Sequence, residues 1–287
     1  MSARTAPNSP VAAGTRIAPR PSVRGGQPPC PAAVAPRRLG GASAFDAVDL
    51  RRLQRAVLDA RRAANADAAT LLPACASGDL VATLRARSAF VHRALLLFPE
   101  TLAGGLRTLA QRGLKPAAPI PSVLVPRRLA ERHGVAREAC DVSITRVAGG
   151  LVEIFLLPTT AHALAPWMID AERHTGFENH AAFEVDRPDE PLLERLFVLC
   201  ARDGLAWEGG GHNPHEDSTV LYFVTPRSAD APLARIELHC AGDFSALIAR
   251  HPVDAAAVAA AYSGRHEEGS GGRHHSRDAR CCERMAA

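Results

Sequence analysis

One succession of elements occurs twice in this 287-residue chain, and a repeat restricts architecture more than any single residue does. The first copy opens with Ser88 to Pro99 (SAFVHRALLLFP), a short apolar run ended by proline that reads as a strand, with Phe90, His92, Ala94 and Leu96 on one face if it is extended. Glu100 to Gly113 follows as a helix closed by its glycine. A proline-rich stretch, Pro116 to Arg128, reads as an irregular strand region, and Asp141 to Pro158 reads as a hairpin turning at Gly149-Gly150, with Glu153 on its final strand. In the second copy Asn179 to Val185 (NHAAFEV) is a strand with His180 near its start. Glu190 to Gly204 is a helix whose buried side carries Leu192, Leu193, Leu196, Phe197, Leu199 and Cys200. Strands at Leu205 to Gly211, Ser218 to Pro226 and Ala234 to Cys240 complete it, and the last carries Glu237. The acid follows its histidine by 61 residues in the first copy and by 57 in the second.

This order predicts an α+β fold: two tandem βαβββ modules, at 88–160 and 175–250, forming a metal-binding cup after an α-helical segment at 45–87. In that segment Leu50, Leu53, Val57 and Leu58 recur at helical spacing, with Asp46 as a cap and a second short helix over Asp79 to Ala86. The ends read differently. In residues 1–44, 23 of 44 are Pro, Ala or Gly, with six arginines and no acid, so little apolar surface could offset the entropy of ordering. The tail at 263–287 has no apolar periodicity either, and both ends are expected to be disordered.

Setting the ends aside changes the charge argument. Of 34 bases and 30 acids, the leader takes six bases and the tail five bases and four acids, leaving 23 bases against 26 acids between them. A basic footprint for nucleic acid is therefore absent from the part that folds. No 18-residue apolar run suggests a membrane span. The seven cysteines are odd in number and scattered, which fits a reducing, cytoplasmic setting better than a disulfide framework. The acid-free leader suits either an organelle transit peptide or a start assigned too early in an arginine-rich reading frame.

The motifs of the second copy carry a resemblance. NHAAFEV, Gly210-Gly211-His212-Asn213 followed by LYFVTP, and Arg235-Ile236-Glu237-Leu238 resemble the vicinal oxygen chelate superfamily, which includes glyoxalase I, the type I extradiol dioxygenases and 4-hydroxyphenylpyruvate dioxygenase. The first copy matches by pattern alone. Carried over residue by residue, the resemblance implies His92, His180 and Glu237 as metal ligands, with Glu153 as a fourth if the site is of the glyoxalase kind. It also places His212 and His215 as acid/base groups, and Tyr222 as a phenol donor, at the lip of the pocket.

Two neutral imidazoles and a carboxylate on one face of an octahedral ion leave three positions open, which favours Fe(II), with Mn(II) or Zn(II) as alternatives. The expected function is thus a non-haem Fe(II) dioxygenase acting with O2 on a small catechol-like or 2-oxo acid substrate, in a chain that could pair as a homodimer. Two other functions fit the same residues: a glyoxalase-type isomerase or lyase, and a metal-free small-molecule binding protein. Each residue also has a plainer structural role open to it. A histidine on an apolar strand is often a hydrogen-bonded core residue, and Tyr222 serves equally to bury its ring in a sheet.

Overall fold

The structure is a computed structural model that describes residues 43–73, 75–160, 165–225 and 234–263, so the expected disorder of the leader and tail lies almost wholly outside the described residues. The first helix, α1 (Ala47–Asn65), begins where the Asp46 carboxylate accepts the Asp49 N–H, and it buries Leu53, Ala56, Val57, Ala60 and Ala63 along one stripe. Ser77 caps α2 (Gly78–Arg87) in the same way. The chain then enters β1 (Ser88–Leu97) and α3 (Leu102–Gln111), capped by Thr101 and closed at Gly113, whose φ of 75° suits glycine.

Between α3 and the hairpin the expectation of an irregular strand region is corrected. Only Ile120–Pro121 (β2) pairs as a strand, and Leu124–His133 forms a helix, α4, because Pro126 falls in its first turn, where a missing N–H costs nothing. The hairpin of β3 (Ser143–Val147) and β4 (Val152–Leu156) turns through Gly149 and Gly150, both at positive φ. A further helix, α5 (Pro166–Thr175), precedes β5 (His180–Val185), α6 (Glu190–Arg202), β6 (Ala206–Asn213), β7 (Ser218–Val224) and β8 (Arg235–Ala241). The described chain ends in α7 (Ser245–Arg250) and α8 (Ala255–Ser263). None of these helices is long and apolar enough to cross a membrane.

The eight strands form one mixed sheet in the order β2-β3-β4-β1-β5-β8-β7-β6. β1 and β5 meet antiparallel at its centre. Each is flanked outward by a parallel partner, β4 beside β1 and β8 beside β5, and beyond those the pairing is antiparallel.

Period-2 alternation divides the residues between the two faces. One face carries Leu95, Leu97, Val152, Ile154 and Leu156, packed with Leu53, Val57 and Leu109 of α1 and α3. The same face carries Ala181, Phe183, Leu221, Phe223, Ile236 and Leu238, packed with Leu193, Leu196 and Phe197 of α6. On the opposite face Ala94, Leu96 and Phe155 meet Val125 and Leu129 of α4 and Met168 of α5. Phe90 does not share a face with His92, as simple alternation would require. The β1–β5 register slips between Phe90 and His92, a bulge that sends Phe90 into edge contact with Phe183 on the helix-packed face while His92 turns to the other.

That other face also buries an ionic network. Arg235, fully buried, donates from Nε to Glu208 at 2.5 Å and lies 3.6 Å from Glu178, and Arg132 donates to Glu172 and Glu178 at 3.2 and 3.0 Å. Burial raises the Glu178 carboxyl pKa, but the charges of Arg132, Arg128 and Arg235 outweigh it and bring it down to about 2. Arg235→Met would leave Glu208 without its guanidinium in the interior, and the expected loss of unfolding free energy in urea is about 3–5 kcal/mol. A loss below about 1 kcal/mol would show that the network does not hold as described.

Candidate metal centre

Two adjacent rows of cross-strand partners build the site. Along one, Arg146 of β3 faces Glu153 of β4, Glu153 faces Ala94 of β1, and Ala94 faces His180 of β5. Along the next, His92 of β1 faces Ala182 of β5, Ala182 faces Glu237 of β8, and Glu237 faces Tyr222 of β7. Directly opposed residues share a face, so both histidines and both acids project from the same side of the sheet. The residues between them, Ala94 and Ala182, are fully buried methyl side chains that leave room for the longer groups to lean together.

The four side chains converge. His92 Nε2 and His180 Nε2 are 3.3 Å apart, His180 Nε2 lies 2.6 Å from Glu237 Oε2, and His92 Nε2 lies 3.9 Å from Glu153 Oε1. Ligand atoms of His92, Glu153 and His180 all fall within 4.8 Å of one another, and all four residues are buried. Among the described residues this is the one such cluster of three or more potential ligands. Glu153, expected as a possible fourth ligand, is thus one of the three clustered residues, and Glu237 meets the group through His180.

The hydrogen bonds show what the cluster lacks. His180 Nδ1 lies 3.1 Å from the Glu178 carbonyl oxygen, which can only accept, so that nitrogen carries a proton and fixes the ring's orientation. Its Nε2 then faces Glu237 Oε2 and His92 Nε2, each able to offer a lone pair. His92 Nδ1 is buried with no hydrogen-bond partner. The close His180–Glu237 pair can be bridged by a shared proton, and a divalent ion at the same place would engage the lone pairs of both imidazoles and the carboxylate. Neutral imidazoles and carboxylates are suitable ligands for a divalent transition metal.

Each carboxylate is also held from behind. Glu153 Oε2 accepts Arg146 Nε at 3.0 Å, while Glu237 Oε1 accepts the Tyr222 hydroxyl at 3.3 Å and lies 2.8 Å from His239 Nε2. Burial opposes ionisation of Glu237, but the charges and hydrogen bonds of His180 and His239 outweigh it and hold the carboxyl well below the usual range. Burial and the Glu237 charge push the Tyr222 phenol well up, so it stays protonated as a donor. Burial alone would lower the His239 pKa, yet contact with Glu237 and the charge of Glu153 raise it. Burial pushes His92 down to about 3, assisted by the charge of His180.

Tyr222 thus lies beside Glu237. His212 and His215 do not join the cluster. His212 contacts Asp217 at 3.4 Å and Asp243 at 3.8 Å near the tip of the β6–β7 hairpin, and His215 lies exposed on the turn, with its backbone N–H on Asn213. His239 and Arg235 do face the site, and period-2 spacing from Glu237 was a signal for both. Arg128 had no such signal, since its helix was not expected. A hollow of about 420 Å³ between Ala68, Leu84, Ser88 and Phe183 lies on the helix-packed face and takes no part in this chemistry.

The histidine burial gives a pH dependence of stability. In the fold His92 stays neutral down to about pH 3, whereas in the unfolded chain it takes up a proton below its ordinary value of 6.5. Its contribution is therefore complete above about pH 6.5 and is lost as pH falls toward 3, at up to about 1.4 kcal/mol per pH unit. Glu237 adds a loss of the same sign in the acid range. His239, with a raised pKa, acts oppositely and only as pH rises above 6.5. Chelator-treated protein is expected to lose about 2–3 kcal/mol of stability between pH 6.5 and 4.5, measured by denaturant unfolding. His92→Gln should flatten that slope, and equal slopes in both proteins would contradict the assignment.

No protein-family model matches the sequence, and no curated protein does. Solved structures do match. A triple mutant of 4-hydroxymandelate synthase from Streptomyces coelicolor aligns at 15% identity and TM-score 0.31 over 53% of this chain and 49% of its own. A hypothetical protein from Bacillus halodurans aligns at 16% identity and TM-score 0.31, over 53% and 94%. A xylose isomerase-like TIM barrel/4-hydroxyphenylpyruvate dioxygenase fusion protein aligns at 18% identity and TM-score 0.30, over 60% and 29%. The chain thus spans about half the synthase and less than a third of the fusion. Likeness of this degree fixes neither activity nor ligands.

Proposed function

We propose that this chain is a divalent-metal enzyme of the vicinal oxygen chelate type, an Fe(II)-dependent dioxygenase for a small catechol-like or 2-oxo acid substrate, built from tandem βαβββ modules at 88–160 and 175–250. One observation carries the reading: the buried Nε2 atoms of His92 and His180 lie 3.3 Å apart, with Glu237 Oε2 2.6 Å from His180 Nε2 and Glu153 Oε1 3.9 Å from His92 Nε2. His92, His180 and Glu237 would hold the ion. When bound, Fe(II) supplies Lewis acidity and, with three protein ligands, positions for substrate oxygens and O2 together.

The remaining work falls to the chain's own groups. Glu178 holds His180 in one orientation through its backbone oxygen. Tyr222 offers a protonated hydroxyl beside Glu237, and half-buried His239 is placed to take or return a proton next to the same carboxylate. A second reading has its own support, since Glu153 Oε1 is turned toward His92 and belongs to the 4.8 Å cluster. As a fourth ligand it would leave two positions, enough for adjacent substrate oxygens but not for O2 as well, which suits a glyoxalase-type isomerase.

How the two acids are held separates these readings. Glu237 is backed by half-buried Tyr222 and His239, whereas Glu153 is backed by Arg146, whose side chain is 53% exposed and so forms a weak, solvent-screened pair. Under the dioxygenase reading Glu237→Gln should lower Fe(II) affinity by at least about 100-fold, the upper end of what losing an outer partner costs, while Glu153→Gln costs about ten-fold or less. Elemental analysis beside thermal unfolding distinguishes ligand loss from instability. Comparable losses in both variants, with no O2 uptake by Fe(II)-loaded wild type on a catechol or a 2-oxo acid, would instead support four ligands. Full metal retention in Glu237→Gln would defeat both.

A further inference from the structure

We propose that Arg128 is the binding group for a carboxylate on the substrate, so that the molecule chelating at the histidine cluster is an anion recognised at both ends. Only its chelating end rests on the metal-site reading; the anion site stands on other residues. The guanidinium of Arg128, on α4, lies 4.8 Å from the centroid of the Tyr222 ring. The hydroxyl of that same ring is 3.3 Å from Glu237 Oε1. A single tyrosine therefore connects the guanidinium to the metal cluster, and an aromatic substrate lying beside it could place adjacent oxygens at one end and a charged group at the other.

The alternative is that Arg128 merely neutralises Glu178. Its contact there, however, is 3.6 Å, beyond hydrogen-bond length, and is to an oxygen that Arg235 approaches at the same distance. That oxygen, Glu178 Oε2, is buried with no hydrogen-bond partner, and Glu178 Oε1 already accepts from Arg132 at 3.0 Å. Glu178 is compensated by Arg132, which hydrogen-bonds it, and by Arg235, which is fully buried. Arg128 differs from Arg235 in access, its side chain being 14% exposed against 0%, and from Arg132, itself 16% exposed, in that its one carboxylate contact among the described residues is longer than a hydrogen bond. Stacking on Tyr222 keeps the guanidinium flat and oriented, the arrangement that makes bidentate contact with a carboxylate inexpensive in entropy. The second guanidinium on the same ring, Arg235, also at 4.8 Å and with Nη2 buried and unpartnered, adds positive potential at this end of the site.

The test uses the full chain and two probes that cannot chelate a metal through adjacent oxygens, 4-hydroxyphenylacetate and its neutral amide, 4-hydroxyphenylacetamide, titrated calorimetrically with and without chelator. The acid is expected to bind at least about ten-fold more tightly than the amide, the size of one charge-assisted contact. Arg128→Gln should bring that ratio to about one while leaving amide affinity unchanged, and Arg128→Lys should keep part of it, since it retains charge without the planar fork. Thermal unfolding confirms that each variant is folded, and Arg128→Lys decides the matter should Arg128→Gln fail to fold. Equal affinities in wild type, no binding of the acid, or a ratio unchanged in the variants overturns the proposal. Catechol binding to Fe(II)-loaded wild type reports separately on the metal site: if catechol fails while the Arg128-dependent ratio persists, the metal reading falls and the anion site stands.

Discussion

The antiparallel junction of β1 and β5 is the contact on which the rest depends. It joins the two halves of the sheet, and its register decides which side chains meet: Ala94 opposite His180 and His92 opposite Ala182. One residue's slip would send a histidine to the other face. The bulge between Phe90 and His92 satisfies two demands on one strand. Upstream, Phe90 must face the helices, where it packs on Phe183. Downstream, His92 must face away from them. A regular strand would hold both on one side, so the extra residue is what lets a core aromatic and a polar site residue stand two positions apart.

The buried ions are the second constraint. Arg235, Glu208, Glu178, Arg132 and Glu172 are each costly to desolvate, and their mutual contacts offset that cost only as a set. Their placement explains why the cost is tolerated. Glu178 lies two residues before His180 and orients that ring through its carbonyl, while its carboxylate accepts from Arg132 and lies 3.6 Å from Arg235. Arg235 lies two residues before Glu237 on the same face and covers the Tyr222 ring. The network therefore fixes the strand ends from which His180 and Glu237 project.

Much of this could be read in the sequence because its signals were local. Alternation located β5, β7 and β8 within a residue or two, the Gly149-Gly150 turn located the β3–β4 hairpin, and His180 and Glu237 fell on the expected strands. What could not be read depended on tertiary context. The Pro116 to Arg128 stretch looks like a broken strand because proline is usually a breaker, and only its position in the first turn of α4 makes it compatible with a helix. Nothing around Val91 marks a bulge, since the slip belongs to the pairing of β1 with β5 and not to local propensity. His212 and His215 sit in a glycine-rich motif, but His212 contacts Asp217 and Asp243 and His215 is exposed on the turn, placements that spacing along the chain does not reveal.

The same distinction bears on how the two acids can act. Their positions are equivalent in strand pairing, Glu153 on the parallel partner of β1 and Glu237 on the parallel partner of β5. They differ in what stands one strand further out. Beyond Glu237 the β7 residue is Tyr222, part-buried, a neutral donor that leaves the carboxylate its full charge. Beyond Glu153 the β3 residue is Arg146, half exposed, a cation that shares the charge of the acid with solvent. Two carboxylates at equivalent places thus stand in unequal electrostatic surroundings, and the inequality comes from the outer strands of the sheet, not from the acids themselves.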